Sequence, residues 1–501
     1  MSNPSTAKGL SQSIIDAVAP PNASAKAPEA KISVRQKDLI LVLPGAAGNL
    51  ASLKIFPALY QSFKEKKLPS NFTILAVDLN PDMTSGSFRG WVRQDLLDKG
   101  PESEEMAAFL EHIVYFPFNL ITGNYQLLKD KISGLETERK VSSNRKIIYF
   151  LSLLPNLFMP TIQGLGEAGL LADENARLAV EKPFGSSLES AKELNALILQ
   201  YCQESQIYRM DHWLGKETVQ NLLNFRFANG IFEHLWSRQF IDYIEITAAE
   251  TVLVPDSRGY VGALKDLVVN HLLEVLCITL MEPPNSLNAD DIRDEKVKIL
   301  RMLKADPKFT VRGYYEGYDR TEETYVALKL IADSYRWQGV AIYLRTWKGA
   351  ENKGTEIAAH FKAVPSTLFT AIPNTLVLNL QPHEGISLTW NVKVPGEPNN
   401  RQKSLDFLYN SKGGFEETIP EAYQTLIQNM IEGDHTLFVR ADEVEAQWAV
   451  VMPILNHWEN LTIKNGNLVG DSDIVHTYPV GSDGPKAAHH ILEPNHKWRS
   501  L

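Results

Sequence analysis

The chain has 501 residues, 44% of them hydrophobic and 22% charged, with a formal charge of −10. That length suits about two to four domains without a disulfide or structural metal, and the acidic balance excludes the basic footprint of a nucleic-acid binder. No unbroken apolar run reaches the roughly 18 residues of a membrane-spanning helix, and two lone cysteines, Cys202 and Cys277, with no basic-then-apolar leader point to a cytoplasmic protein.

Residues 1–35 are rich in Ala, Pro, Ser and Asn and bury too little apolar surface to offset their ordering entropy, which predicts a flexible tail. From Asp38 the pattern changes. Residues 39–43 form a short apolar run of the kind buried on both faces of a parallel sheet, followed by glycines and a helical stretch over 52–65. Further strands are predicted at 73–77, 146–151 and 177–180, with helical patterns between them. This alternation predicts an α/β, Rossmann-like dinucleotide-binding domain over 36–210. Beyond 210 the alternation stops. Strands at 240–250, 325–332, 339–345, 355–364, 376–381 and 386–392, a long helix over 264–281 and helices near 420–431 and 442–457 predict an α+β domain over 211–501 with a large, mainly antiparallel sheet.

The first strand runs into Gly45-Ala46-Ala47-Gly48-Asn49-Leu50. A glycine turn from strand to helix brings backbone N–H groups and a helix N-terminus onto a phosphate, and small residues let a dinucleotide approach closely. The Gly-x-x-Gly spacing is shared with ordinary tight turns; its place on the first strand of a parallel pattern favours the nucleotide. Asp78 ends the second strand, where dinucleotide folds put the carboxylate that hydrogen-bonds the ribose 2′-OH of NAD.

Three further segments carry chemistry. Glu181-Lys182-Pro183-Phe184-Gly185 lies at the carboxyl end of a buried strand, where ligands bind in such sheets, so Lys182 can supply a fixed positive charge. In the segment from Tyr208 to Glu217 a helical reading puts His212 and Lys216 four apart on one face, two donors suited to a phosphate, with Asp211 directed elsewhere. Asp266, Asn270 and His271 interrupt an apolar helix, where polar groups need partners. A histidine with a carboxylate makes a general base; a hydrogen-bonded core histidine shows the same pattern.

These segments resemble the glucose-6-phosphate dehydrogenase family. The resemblance is carried by Glu181-Lys182-Pro183-Phe184-Gly185, Asp211-His212-Trp213-Leu214-Gly215-Lys216, Arg226-Phe227-Ala228-Asn229, Asn270-His271-Leu272-Leu273, Ile292-Arg293-Asp294-Glu295-Lys296-Val297 and Pro420-Glu421-Ala422-Tyr423. It implies an oxidoreductase of the oxidative pentose phosphate pathway that converts glucose 6-phosphate to its lactone, hydride passing from C1 to NAD or NADP. By the same resemblance His271 is the base and Asp211 orients it. His212, Trp213 and Lys216 face the substrate phosphate, and Lys182 serves the sugar and the cofactor. Glu250 and Asp266 accept sugar hydroxyls, and Lys348 and Lys353 are basic positions near the substrate. A homodimer or homotetramer built on the large sheet is implied, and no metal.

The chain also departs from the family. Trp213 stands where the family has Tyr, and Trp347 replaces the glycine before Lys348 and is expected to crowd the sugar. The loop between Tyr260 and Asp266 is shorter than the family pattern, which bears on the placement of that carboxylate. Leu79 stands where the family has an arginine that pairs with the 2′-phosphate of NADP; with Asp78 beside it, this favours NAD. The departures leave two other readings open: a weak or silent regulatory relative, and a dehydrogenase of another sugar phosphate.

Overall fold

The computed structural model describes residues 38–501 except 256–258, 366–367, 369–370, 410–418, 460–461, 465–466 and 470–474; the expected tail over 1–35 lies outside the described residues. Apolar runs form β1 (Leu39–Pro44), β2 (Phe72–Asp78), β3 (Ile113–Pro117), β4 (Lys146–Leu151), β5 (Ala176–Val180) and β6 (Ile207–Met210). They pair in parallel in the order β6-β5-β4-β1-β2-β3, the strand order of a dinucleotide-binding sheet. Every residue of β1 is buried, as a central parallel strand with covered faces requires.

The second sheet takes β7 (Ile241–Glu250), β8 (Leu303–Tyr315), β9 (Tyr325–Ala332), β10 (Ala341–Lys348), β11 (Gly354–Phe361), β12 (Thr375–Gln381), β13 (Gly385–Lys393) and β14 (Asn400–Leu408). A short β15 (Phe438–Val439) instead returns to the first sheet, antiparallel to β6. The segments β16 (Thr462–Lys464) and β17 (Asn467–Val469) pair only with each other, and β18 (Val475–Tyr478) completes the second sheet. Its order is β14-β13-β12-β11-β7-β10-β9-β8-β18, antiparallel except for the β7–β10 and β8–β18 pairs.

Between the sheets runs a buried helical segment, widened into π turns over Leu264–Leu272 and continuing as α-helix over Leu273–Leu280. Among the described residues no helix is long and apolar enough to cross a membrane. One expectation is corrected. The segment after β6 is not helical: residues 211–216 form a turn, and helix resumes only at Glu217–Phe227. A Cβ at Gly215 would lie 2.6 Å from the Ala422 carbonyl oxygen, so this turn is pressed against the start of the helix Ala422–Glu432.

Candidate active site

β1 ends in the glycine turn. Gly45 has φ of +79°, and a Cβ there would stand 2.1 Å from the Ser152 carbonyl oxygen just beyond β4. Glycine alone permits that approach, and it falls between β1 and β4, where the strand order reverses and a crevice opens. Ala46 is buried beneath the turn, Gly48 and Leu50 are half-buried, and Ala47 and Asn49 are exposed at its rim. Asp78 braces it from β2: one carboxylate oxygen accepts the Ala47 N–H at 2.9 Å and the other the Leu79 N–H at 2.7 Å. Leu79 itself is 64% exposed. A cradle cleared of side chains at the start of a helix fits a dinucleotide pyrophosphate.

Beyond the ends of β5 and β6 lie Lys182 and Asp211, and the π turns bring His271 to meet them. His271 Nδ1 is 2.7 Å from Asp211 Oδ1, and the Lys182 ammonium is 2.7 Å from Asp211 Oδ2 and 3.0 Å from His271 Nδ1. Asp211 is fully buried. Burial opposes its ionisation, but His271 and Lys182 outweigh that and hold the carboxyl well below the usual range. An ionised Asp211 can only accept, so Nδ1 carries the proton and donates to it, leaving Nε2 with the lone pair. Burial, reinforced by the Lys182 charge, pulls His271 below the ordinary histidine value against Asp211, so the ring is neutral near pH 7. Asp211, His212 and His271 bring metal-ligand atoms within 4.8 Å of one another, but the Lys182 ammonium already sits against Asp211 and His271 and repels a cation.

The turn over 211–216 supplies a second group of donors. The His212 ring lies 4.7 Å from His271 edge-on, and Trp213 stacks on His271 at 4.8 Å. The Lys216 ammonium lies 4.8 Å over the Trp213 ring and donates to Gln381 Oε1 at 2.7 Å. Burial first, then the charge of exposed Lys353, brings Lys216 down to about 8. The turn therefore gathers His212, Trp213 and Lys216 without the helical spacing expected of them.

On the second sheet, Lys348 stands opposite Glu250 in the parallel β7–β10 register and ion-pairs with it. Burial raises the Asp266 carboxyl above its usual value, against the pull of the Lys348 charge; Asp266 is thus among these groups despite the shortened loop. Trp347 does not crowd them. Neighbouring strand residues face opposite sides, and Trp347 is buried in a separate core against Tyr325, its indole N–H donating to the Ser482 carbonyl.

Two residues assigned no role from the sequence border the cluster. Tyr423 lies parallel to the His212 ring at 6.2 Å. Glu181 is buried, and burial pushes its carboxyl up to about 7 although a hydrogen bond from Tyr423 works the other way. Both belong to the motifs quoted above; a carboxylate ending a buried strand was the available signal for Glu181.

The chain matches the family model for the glucose-6-phosphate dehydrogenase NAD binding domain over residues 42–221 and the model for the C-terminal domain over 223–499. It is 37% identical to a glucose-6-phosphate 1-dehydrogenase of Aggregatibacter actinomycetemcomitans, over 93% of this chain and 98% of that one. It is 34% identical to that of Bacillus subtilis, over 91% and 97%. A crystal structure from Mycobacterium avium superimposes with a TM-score of 0.78 at 33% identity, over 93% of this chain and 99% of that one. A glucose-6-phosphate dehydrogenase in complex with its substrate glucose-6-phosphate gives 0.83 at 31% identity, over the same 93% and 99%. Strand order, glycine turn and both halves of the chain agree: it belongs to the glucose-6-phosphate dehydrogenase family.

Proposed function

We infer that the chain oxidises glucose 6-phosphate at C1 to 6-phosphogluconolactone, with a nicotinamide dinucleotide as oxidant, the first step of the oxidative pentose phosphate pathway. The observation that carries the reading is the Asp211–His271 pair, whose 2.7 Å hydrogen bond engages Nδ1 and leaves Nε2 as base. His271 takes the C1 hydroxyl proton at Nε2. Asp211 fixes the ring's tautomer and stabilises the imidazolium, the usual part of a carboxylate behind a histidine base. His212 and Lys216 bind the 6-phosphate, with Trp213 as the floor of that subsite. Lys182 contacts the sugar on the cofactor side, Glu250 and Asp266 accept sugar hydroxyls, and Lys348 and Lys353 add positive charge.

The turn over residues 45–50, with Asp78 and Lys182, would hold the dinucleotide, which supplies the hydride acceptor. NAD is the preferred form. The Asp78 oxygens retain lone pairs for a ribose 2′-OH beyond their two backbone bonds, and Leu79 offers no charge. Beside a 2′-phosphate the carboxylate would repel; like charges ~4 Å apart cost about 1–4 kcal/mol between water and surface dielectrics. The active unit is a cytoplasmic homo-oligomer, a dimer or tetramer. Exposed Trp390, Val392 and Leu405 on β13 and β14 offer an apolar patch for assembly.

A spectrophotometric assay with glucose 6-phosphate against each nucleotide tests the reading. Turnover with NAD at the higher kcat/KM is expected, and Asp78→Ala with Leu79→Arg should move the preference toward NADP. A tenfold preference for NADP in the unaltered chain would refute the NAD assignment, and turnover with neither would refute the activity.

A further inference from the structure

The motif Ile292-Arg293-Asp294-Glu295-Lys296-Val297 has no part in the reaction above, yet it places a charge deep in the protein. The Lys296 ammonium lies 2.8 Å from Glu274 Oε2 and 2.7 Å from Glu443 Oε2, and all three side chains are at most 1% exposed. The Gln447 side-chain amide donates to the other oxygen of Glu274. The group joins the helices Leu273–Leu280, Ala289–Met302 and Ala441–Glu459.

Glu274 stands three residues beyond His271, in the first turn after the π segment Leu264–Leu272 gives way to α-helix. π turns are rare and concentrate at functional sites, and the direction of a side chain on them depends on where the wider register ends. Two partners grip Glu274 at that junction.

We propose that the Glu274–Lys296–Glu443 triad positions the catalytic base: it anchors the π-to-α junction and so holds His271 against Asp211. The proposal rests on His271 being the base. The triad also has an electrostatic effect. The Glu274 charge supports the Lys182 ammonium, which itself lies against Asp211 and His271. Burial drives Glu443 up to about 7 against the pull of Lys296, and the Glu274 charge pushes the same way. The charged or titratable groups acting directly on His271 are Asp211, Lys182, His212 and Asp266.

Removing Lys296 alone would strand two buried carboxylates, whereas replacing a whole buried ion group by neutral residues is often tolerated. The test is therefore the triple variant Glu274→Gln, Lys296→Met, Glu443→Gln. A positioning role predicts a kcat about tenfold lower with KM for glucose 6-phosphate little changed. The acid limb of kcat should move down by about half a pH unit, because a looser Asp211 contact disfavours the imidazolium. Wild-type kcat and pH profile in a variant that has only lost thermal stability would overturn the proposal. If the triple variant does not fold, Glu443→Gln is read instead: a smaller downward shift of the same limb supports it, and an unmoved limb overturns it. The His271 ring titration, followed by NMR, separates this from failure of the base assignment. Full turnover in His271→Ala would refute the base, while a shifted ring titration in the altered triad would still show that the triad positions the ring; an unshifted one overturns the proposal.

Discussion

His271 is neutral because burial, helped by the Lys182 charge, outweighs the pull of the Asp211 and Asp266 carboxylates. His271→Ala should lower kcat by at least ~100-fold, the usual size of a general-base contribution, with KM for glucose 6-phosphate nearly unchanged; near wild-type turnover would make it a core histidine. Lys216 is proposed to act through binding. Losing a charged contact to a phosphate costs about 1.5–3 kcal/mol, so Lys216→Ala should lower kcat/KM roughly ten- to a hundredfold with glucose 6-phosphate and leave unphosphorylated glucose almost untouched. Its value near 8 adds a pH signature. The ammonium is charged below that value and neutral above it, so kcat/KM should fall as pH rises through about 8 while kcat does not. Lys216→Arg should abolish that fall, since arginine keeps its charge; a fall that persists in Lys216→Arg assigns it to another group.

Among the elements, the glycine turn was legible because its chemistry is local: a buried apolar strand, then Gly45 and Gly48 before a helix. At Gly45 a methyl group would meet the Ser152 carbonyl oxygen, and φ of +79° is already unfavourable for any side chain. Gly45→Ala should therefore push β1 and β4 apart, raising KM for the dinucleotide about tenfold or more and costing at least ~1–2 kcal/mol in backbone strain alone. Denaturant unfolding and a cofactor titration measure the two; an unchanged KM would remove the turn from the binding site. The turn over 211–216 was not legible in the same way. Its spacing of His212 and Lys216 fits a helix, and what forbids one is the helix Ala422–Glu432 pressed against Gly215, some two hundred residues away in sequence. β3 escaped because only alternate residues of this edge strand are buried, and β14 because it is almost wholly exposed. His271 and Asp211 were singled out by resemblance, and the structure brings them together with Lys182, but the Lys182–Asp211–His271 contacts depend on three elements converging, which no local pattern carries.

Over the whole molecule, the C-terminal segment supports the sheet that carries Glu250 and Lys348, the groups proposed to face the sugar. Arg345 on β10 is 3% exposed; its guanidinium lies 5.1 Å from the Trp347 ring and 4.6 Å from Trp498 and donates to Thr247 Oγ1 at 3.0 Å. Around it the final residues bind the same face. The Tyr343 hydroxyl meets His496 Nδ1 at 2.8 Å, Tyr243 donates to the Lys497 carbonyl at 3.1 Å, and the Arg499 N–H donates to Glu245 at 3.1 Å. β7 and β10 end in Glu250 and Lys348, so whatever holds this face holds that ion pair in register. Trp498→Ala removes one of the two rings flanking Arg345 and opens a gap beside a buried charge. Because Trp498 is only half-buried, the loss should be about 2–3 kcal/mol, below the range for fully buried tryptophans. The sheet ends should loosen with it, raising KM for glucose 6-phosphate severalfold while kcat at saturation stays near wild type, since His271, Asp211 and Lys182 sit on other elements. Urea unfolding and steady-state kinetics on one preparation decide the matter. A destabilised variant with unchanged KM would mean that the segment braces the fold without reaching the sugar, and a lowered kcat would mean that its influence extends to the base.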